Sequence, residues 1–332
     1  MLKHMPQRMN ASYRHVTGVT LVELMVSLAI GSFLMIATIQ IYSQSRQAYM
    51  INDSIARVQE TAQFAMDTIE ADLRMASNFG RNSRGDTVEG RSLPGNTNPD
   101  GLTIDAGCGA DWILDLLHPV EGDNNNYVLP CAATGVGGAQ ANSDTVTTRR
   151  TTVFPTALQP GRLQIQSTRL QGKIIDDGLI PTGFDALTSE THDLLINSYY
   201  VAASSALIPG VPTLRRKTLG VVGGVPQITD IEVAPGVENM QLQFGVDMDA
   251  DNTVDRYVDP GNAILDPAAA GWVPTARVIT VRIWMVVRSI ALEQGIVDLT
   301  DYEPGDVDLG VPNDQFRRLM VSKTILLRNS RT

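Results

Sequence analysis

The 332-residue chain carries 26 Lys and Arg against 36 Asp and Glu, a formal charge of −10, and is 43 % hydrophobic. That is enough apolar material for one large or two small packed domains and excludes a disordered chain. The negative balance argues against bulk attraction to nucleic acid or to an anionic membrane surface.

The charge is uneven. Residues 1–18 hold Lys3, Arg8 and Arg14 and no acid, so a basic head precedes an acidic body. From Val19 to Tyr42 the sequence is apolar apart from Thr20, Glu23, Ser27, Gly31, Ser32, Thr38 and Gln40. At 1.5 Å per residue this segment makes a helix of about 36 Å, enough to cross a hydrocarbon core of about 30 Å. The positive head stays cytoplasmic by the positive-inside rule, which sends the acidic body to the opposite side. An ordinary secretory signal has its small-residue cleavage site after the apolar part. Here none follows closely, and the small residue, Gly18, precedes the run.

Glu23 is the anomaly of this segment. A carboxylate in a span costs about 2.5–3.5 kcal/mol when central, less near an end, and calls for a cation. The span contains none. Scission after Gly18 would create an α-amino group at Val19, one helical turn from Glu23 in the same chain and able to meet the glutamate of a neighbouring subunit in an assembly.

The stretch Gly18-Val19-Thr20-Leu21-Val22-Glu23, followed by the apolar run, resembles the class III signal of type IV prepilins and pseudopilins. The resemblance implies that residues 1–18 are a leader, that prepilin peptidase cuts between Gly18 and Val19 and methylates the Val19 terminus, and that Glu23 pairs with a neighbour's terminus during assembly. Val19 departs from the phenylalanine usual in major pilins; minor pilins vary there.

Beyond Tyr42 the helical period continues with rising polarity. Ile51, Ile55, Val58, Ala62, Ala65, Ile69, Leu73 and Ala76 recur at spacings of three and four, which predicts an amphipathic helical half over 43–77 that continues the transmembrane half, 19–42. Asn78 with Gly80 supplies the stop. Residues 78–143, rich in Gly, Asn and Asp, read as a loop-rich insertion. It carries the chain's two cysteines, Cys108 and Cys131, without CxxC spacing, which speaks against a metal or redox pair. In an oxidising compartment they would form one bridge worth about 3 kcal/mol; the other reading is two small buried hydrophobes.

Residues 144–332 read as a β-rich domain. Short strand candidates occupy 144–154, 163–168, 194–202 and 213–219, and stronger ones 240–246, 277–288 and 318–328. In the second of these Ile279, Val281, Ile283, Met285 and Val287 share one face. The sequence Gly236-Val-Glu-Asn-Met-Gln-Leu-Gln-Phe-Gly-Val-Asp247, the Asp-rich turn after it, Arg277 to Ser289 and Thr324 to Asn329 are similar to PilW-type minor pilins. The expected fold is therefore α+β and pilin-like: a long N-terminal helix packed on a C-terminal antiparallel sheet, with the insertion between.

Within that turn, Asp247, Asp249, Asp251 and Asp255 hold positions 1, 3, 5 and 9 of an EF-like loop and would suit Ca²⁺. Asn252 replaces the turn glycine and Val258 the bidentate glutamate, so a solvated acidic hairpin is the preferred reading. No catalytic motif is present: His4 and His15 lie in the leader, and His118 and His192 read as ordinary loop or surface histidines. Arg149-Arg150, Arg215-Arg216-Lys217 and Arg317-Arg318 read as solvated strand positions, and Trp112, Trp272 and Trp284 as packing residues.

These features imply a non-enzymatic minor pilin of a type IV pilus, involved in assembly or priming and incorporated at low level or at the tip. It would reside in the inner membrane with a periplasmic body before entering the fibre at the Gram-negative cell surface. Its partners would be prepilin peptidase, the major and other minor pilins, the inner-membrane assembly platform and a tip adhesin. The alternatives are a tip pseudopilin of a type II secretion system and a calcium-dependent pilus adhesin. Mass spectrometry of the protein from cells with and without the peptidase is expected to show loss of residues 1–18, blocked by Gly18→Glu; a mature terminus beyond residue 40 would mean ordinary signal peptidase.

Overall fold

The computed structural model describes residues 18–104 and 107–331. The expected leader therefore lies outside the described residues except for Gly18. The chain divides into two compact units, one ending at Asp53 and one beginning at Ser54. Helix α1, Leu21–Met75, starts in the first and continues into the second.

In the first unit every residue from Gly18 to Met50 is exposed. Its apolar part, Val19 to Tyr42, is exposed all round, has no face suited to water and requires lipid or other helices. In the second unit α1 buries Val58, Ala62, Ala65, Met66, Ile69 and Leu73, the stripe set by their spacing of three and four. Ile51 and Ile55, on the same stripe, are half-buried. The helix ends at Met75, two residues before the expected limit, because Ser77 turns left-handed with φ 62°.

The strands that follow are β1 (Val88–Glu89), β2 (Val120–Asp123), β3 (Val136–Ala139), β4 (Thr145–Thr151), β5 (Gln164–Ser167), β6 (Gly172–Ile175), β7 (Glu190–Ser204), β8 (Thr213–Val222), β9 (Val225–Pro235), β10 (Val237–Asp247), β11 (Arg256–Val258), β12 (Arg277–Arg288) and β13 (Arg318–Leu326). A short helix, α2 (Ala110–Leu114), lies between β1 and β2. These strands form two sheets where the sequence leads one to expect a single one. A nine-stranded sheet is organised on β7, which pairs with β5, β4, β8 and β3 along its 15 residues. A four-stranded antiparallel sheet has the order β11-β10-β12-β13. The larger sheet holds one parallel pair, β1 with β6.

Both sheets share a core with α1. From the larger come Val146, Tyr199, Val201 and Leu214; from the smaller, Met240, Leu242, Phe244, Val281, Ile283 and Met285. The opposite face of β7, through Leu194 and Ile196, packs on a second core built from the insertion: Phe79, Trp112, Ile113, Leu114, Leu116 and Leu129. A strand covered on both faces loses the alternation of a half-exposed one, and β7 is buried almost continuously. The insertion is thus a packed layer carrying β1, β2, β3 and α2, and not simply loop. Between the sheets, Gly236 has φ 97°, and a Cβ there would lie 2.7 Å from the Arg288 carbonyl oxygen; only glycine fits this passage from β9 to β10.

The docking of α1 is also polar. Asp72, buried to 4 % exposure, accepts from Arg150 Nη2 at 2.6 Å and Nε at 3.0 Å, from Asn197 Nδ2 at 2.7 Å and from the Tyr199 hydroxyl. Asp72→Ala, which leaves Arg150 without its partner, is expected to cost about 3–5 kcal/mol in denaturant unfolding of the detergent-solubilised protein; a loss below about 1 kcal/mol would place this network at the level of a surface pair.

Candidate functional site

At the start of α1 the Glu23 amide donates to Thr20 Oγ1 at 3.2 Å, while the Thr20 amide faces Glu23 Oε2 at 3.5 Å. Leu24 N–H donates to the Thr20 carbonyl at 3.1 Å, the first helical hydrogen bond. This is a reciprocal capping box, with Thr20 as N-cap and Glu23 at the third helical position. The pattern Thr-x-x-Glu is present in the sequence, where Glu23 stands out chiefly as a charge without a cation. Glu23 therefore has a partner in its own chain, and its acidity also complements the positive end of the helix dipole. A Cβ added to Gly18 would meet nothing within 4 Å, and Val19 is 68 % exposed. The described residues thus impose no steric need for glycine at this position.

Of the four carboxylates expected at a calcium loop, Asp247, Asp249 and Asp255 have ligand atoms within 4.8 Å of one another. Asp251 is turned away, accepting from the Thr253 amide at 2.7 Å and hydroxyl at 2.6 Å. Asp247, at the end of β10, is fully buried and paired with Arg277 at 2.9 Å. It also accepts from the amides of Ala250 at 2.7 Å and Asn252 at 2.9 Å. Burial works against its charge, but the hydrogen bonds from Arg277 and the two amides outweigh it and hold the carboxyl below its ordinary range. Asp255 accepts from Met248 N–H at 2.6 Å. A guanidinium and the loop's own amides thus occupy much of the acceptor capacity.

Cys108 and Cys131 are bonded, S–S 1.96 Å, and join the segment before α2 to the segment before β3. The basic runs differ from the expectation of solvated strand positions. Arg149 is fully buried and donates to the carbonyls of Trp112 and His118 and to Glu121 at 2.7 Å. Arg215 and Lys217 meet Asp230 at 2.8 and 3.0 Å, and Arg318 meets Glu238 and Asp314 at 2.6 and 2.7 Å. Charge runs in sequence do not reveal these partners, which come from other strands or loops. His192 is likewise buried, its Nδ1 2.9 Å from the Thr152 carbonyl oxygen. Its place on β7 explains the difference from a surface reading.

A groove of about 800 Å³ is lined by Arg84, His118, Glu121, Asp266, Trp272 and Arg277 among others. Asp115, 2.7 Å from His118 Nδ1, raises the histidine above its ordinary pKa. Trp272 is 44 % exposed, unlike the buried Trp112, and so is not a pure packing residue. The wall carries both signs of charge.

Residues 198–329 match the family model described as Type IV Pilus-assembly protein W, and residues 13–39 match the prokaryotic N-terminal methylation motif. The first match spans the C-terminal part of β7 and all of β8 to β13; the second contains Gly18, Val19 and Glu23. No curated protein matches the chain. Among solved structures, the type IV-like pilin TTHA1219 from Thermus thermophilus is similar at 14 % identity, covering 57 % of this chain and 80 % of that one, with a TM-score of 0.30. The chain thus joins a match to the N-terminal methylation motif, leading into an apolar helix, to a match to the PilW family model in its C-terminal body.

Proposed function

We propose that the protein is a minor type IV pilin, a structural subunit without chemistry of its own that is processed by prepilin peptidase and incorporated at low level or at the tip of the fibre. The observation that carries this reading is the junction of two parts in one chain: an apolar run, Val19 to Tyr42, exposed throughout, and a body that matches the PilW model. The first is suited to lipid and then to a bundle of like helices; the second is suited to select neighbouring subunits. Before assembly the helix holds the subunit in the inner membrane with the body on the periplasmic side, as the basic head and acidic body imply. The PilW match supports a pilus over a type II secretion system, whose pseudopilins share the N-terminal signal.

Within the fibre, Glu23 pairs with the Val19 amine of a neighbouring subunit. The capping box sharpens how this can be tested. Glutamine retains the capping geometry, since either Glu or Gln serves at the third helical position, but it lacks the charge that an ammonium partner needs in a low-dielectric setting. Glu23→Gln is therefore expected to leave cleavage and membrane residence intact while lowering incorporation into sheared pili, read by immunoblot. Thr20→Val removes one capping hydrogen bond without touching the charge and is expected to have the milder effect. Wild-type incorporation of the Glu23→Gln protein would show that Glu23 serves as a cap and not as a charge partner.

A further inference from the structure

The chain between β11 and β12 carries Trp272 on an arm that is held at its base. Ile264 is buried in the core around α1, and Leu265 and Val273 pack against that core. Val273 N–H donates to the Ile264 carbonyl at 3.1 Å and Trp272 N–H to the Ala269 carbonyl at 3.1 Å, while Pro267 and Pro274 restrict the backbone on either side. The indole is nevertheless 44 % exposed. A single exposed apolar side chain on a plain surface needs no explanation. This one lines the groove of about 800 Å³, a volume within the range of about 300–1,000 Å³ usual for small-molecule sites.

Another part of the wall is the segment that leads into β2, where His118 is fixed twice. Its carbonyl accepts from Nη1 of the fully buried Arg149 at 2.6 Å, and its Nδ1 lies 2.7 Å from Asp115 Oδ2, which leaves Nε2 for a further hydrogen bond. Asn262 Oδ1 accepts from Ile264 N–H at 3.2 Å and leaves Nδ2. Arg84 donates to Asp86 through Nε at 3.2 Å and Nη2 at 2.7 Å and leaves Nη1. Asp266 accepts from Ala268 N–H at 2.8 Å through Oδ1 and leaves Oδ2. Groups of this kind, each held in place with a spare donor or acceptor, are suited to hydroxyls, which both donate and accept.

The electrostatics narrow the class of ligand. Every cation of the wall already carries a carboxylate: Arg84 meets Asp86 at 2.7 Å, His118 meets Asp115 at 2.7 Å and Arg277 meets Asp247 at 2.9 Å. Glu121 is likewise paired with Arg149. No cation is left over for a phosphate, a sulfate or a carboxylate. An organic cation is poorly served too, because it calls for a cage of aromatic faces. Among the described residues that line the groove only the Trp272 indole is open; the one phenyl ring, Phe244, is buried. The arrangement suits an uncharged ligand with an apolar face and many hydroxyls. We propose that the groove binds a neutral oligosaccharide, one sugar ring stacking its C–H face on Trp272 while hydroxyls bond to His118, Asn262, Arg84 and Asp266. The fixed arm and the twice-held histidine preorganise the site, so little ordering is left for the moment of binding.

The test uses the full-length protein in lauryldimethylamine oxide, a detergent without a sugar headgroup, titrated with lactose, maltose, mannobiose and diacetylchitobiose. Trp112 is buried and Trp284 does not line the groove, so a change in tryptophan emission reports on Trp272. At least one of the four sugars is expected to change the emission saturably with a millimolar Kd. Calorimetry is expected to show that Trp272→Ala weakens this binding at least about tenfold and His118→Ala at least about threefold, with Tm of the exposed Trp272 variant unchanged. Trp284→Phe is expected to leave affinity as it is. Inorganic phosphate, choline and a Gly-Ser-Asn peptide are expected to bind more weakly than the best sugar. Absence of emission change and of heat with all four sugars at up to about 50 mM would overturn the proposal. So would sugar binding that survives Trp272→Ala, or a preference for phosphate, choline or the peptide over every sugar.

Discussion

Two carboxylates on α1, Glu70 and Asp72, fix where the body sits on its helix. Positions two apart on a helix point in nearly opposite directions, and these two reach different sheets. Glu70 is paired with Lys323 of β13 and with Arg74, and Asp72 with Arg150 of β4 and with Asn197 and Tyr199 of β7. Both are largely removed from water. The hydrogen bond from Lys323 chiefly keeps Glu70 below its ordinary pKa, against the cost of burial. The apolar stripe supplies most of the attraction, yet a stripe of Ala, Ile, Leu and Met tolerates a slide by one turn. The polar contacts do not, because such a slide would part Asp72 from Arg150, Asn197 and Tyr199 and leave its carboxylate buried without them, and would part Glu70 from Lys323. The helix is thereby held in one register between two sheets.

The elements that obey a simple period were legible in the sequence. The α1 stripe from Val58 to Leu73 and the inward set of β12, Ile279 to Val287, appear as the spacing predicts. What was not legible depends on a second face or a distant partner. Strand β9 hides its character among Thr229, Asp230 and Glu232 and is bounded by Pro226 and Pro235. Its acids face Arg215 and Lys217 on the neighbouring β8, and neither strand alone shows that the charges will be covered. The apolar residues of the insertion come in short runs typical of loop, and only β7, much further along the chain, provides the surface that collects them.

The N-terminal features were legible for the opposite reason. Gly18, Val19 and Glu23 lie within six positions, so their relation is linear and survives without the fold. Thr20 belongs to the same unit, and its capping role needed only the helix start to be placed. The Asp247 hairpin shows the hazard of reading such short-range spacing alone: the spacing within one loop is ligand-like, yet Arg277 pairs with the first carboxylate and the third accepts from Thr253 instead.

The exposed run from Gly18 to Met50 has a consequence for the order of events in the life of the subunit. Leu21, Phe33, Met35 and Ile41 are each more than 65 % exposed, and burying one such side chain is worth about 1.5–3 kcal/mol. Summed along the run, the cost of an aqueous interlude far exceeds the 5–15 kcal/mol that holds a typical domain together. A subunit released into water would sooner aggregate through this segment than wait for a partner. On the proposed route from membrane to fibre, the transfer would therefore be a direct hand-over, in which contacts with neighbouring helices form as contacts with lipid are withdrawn.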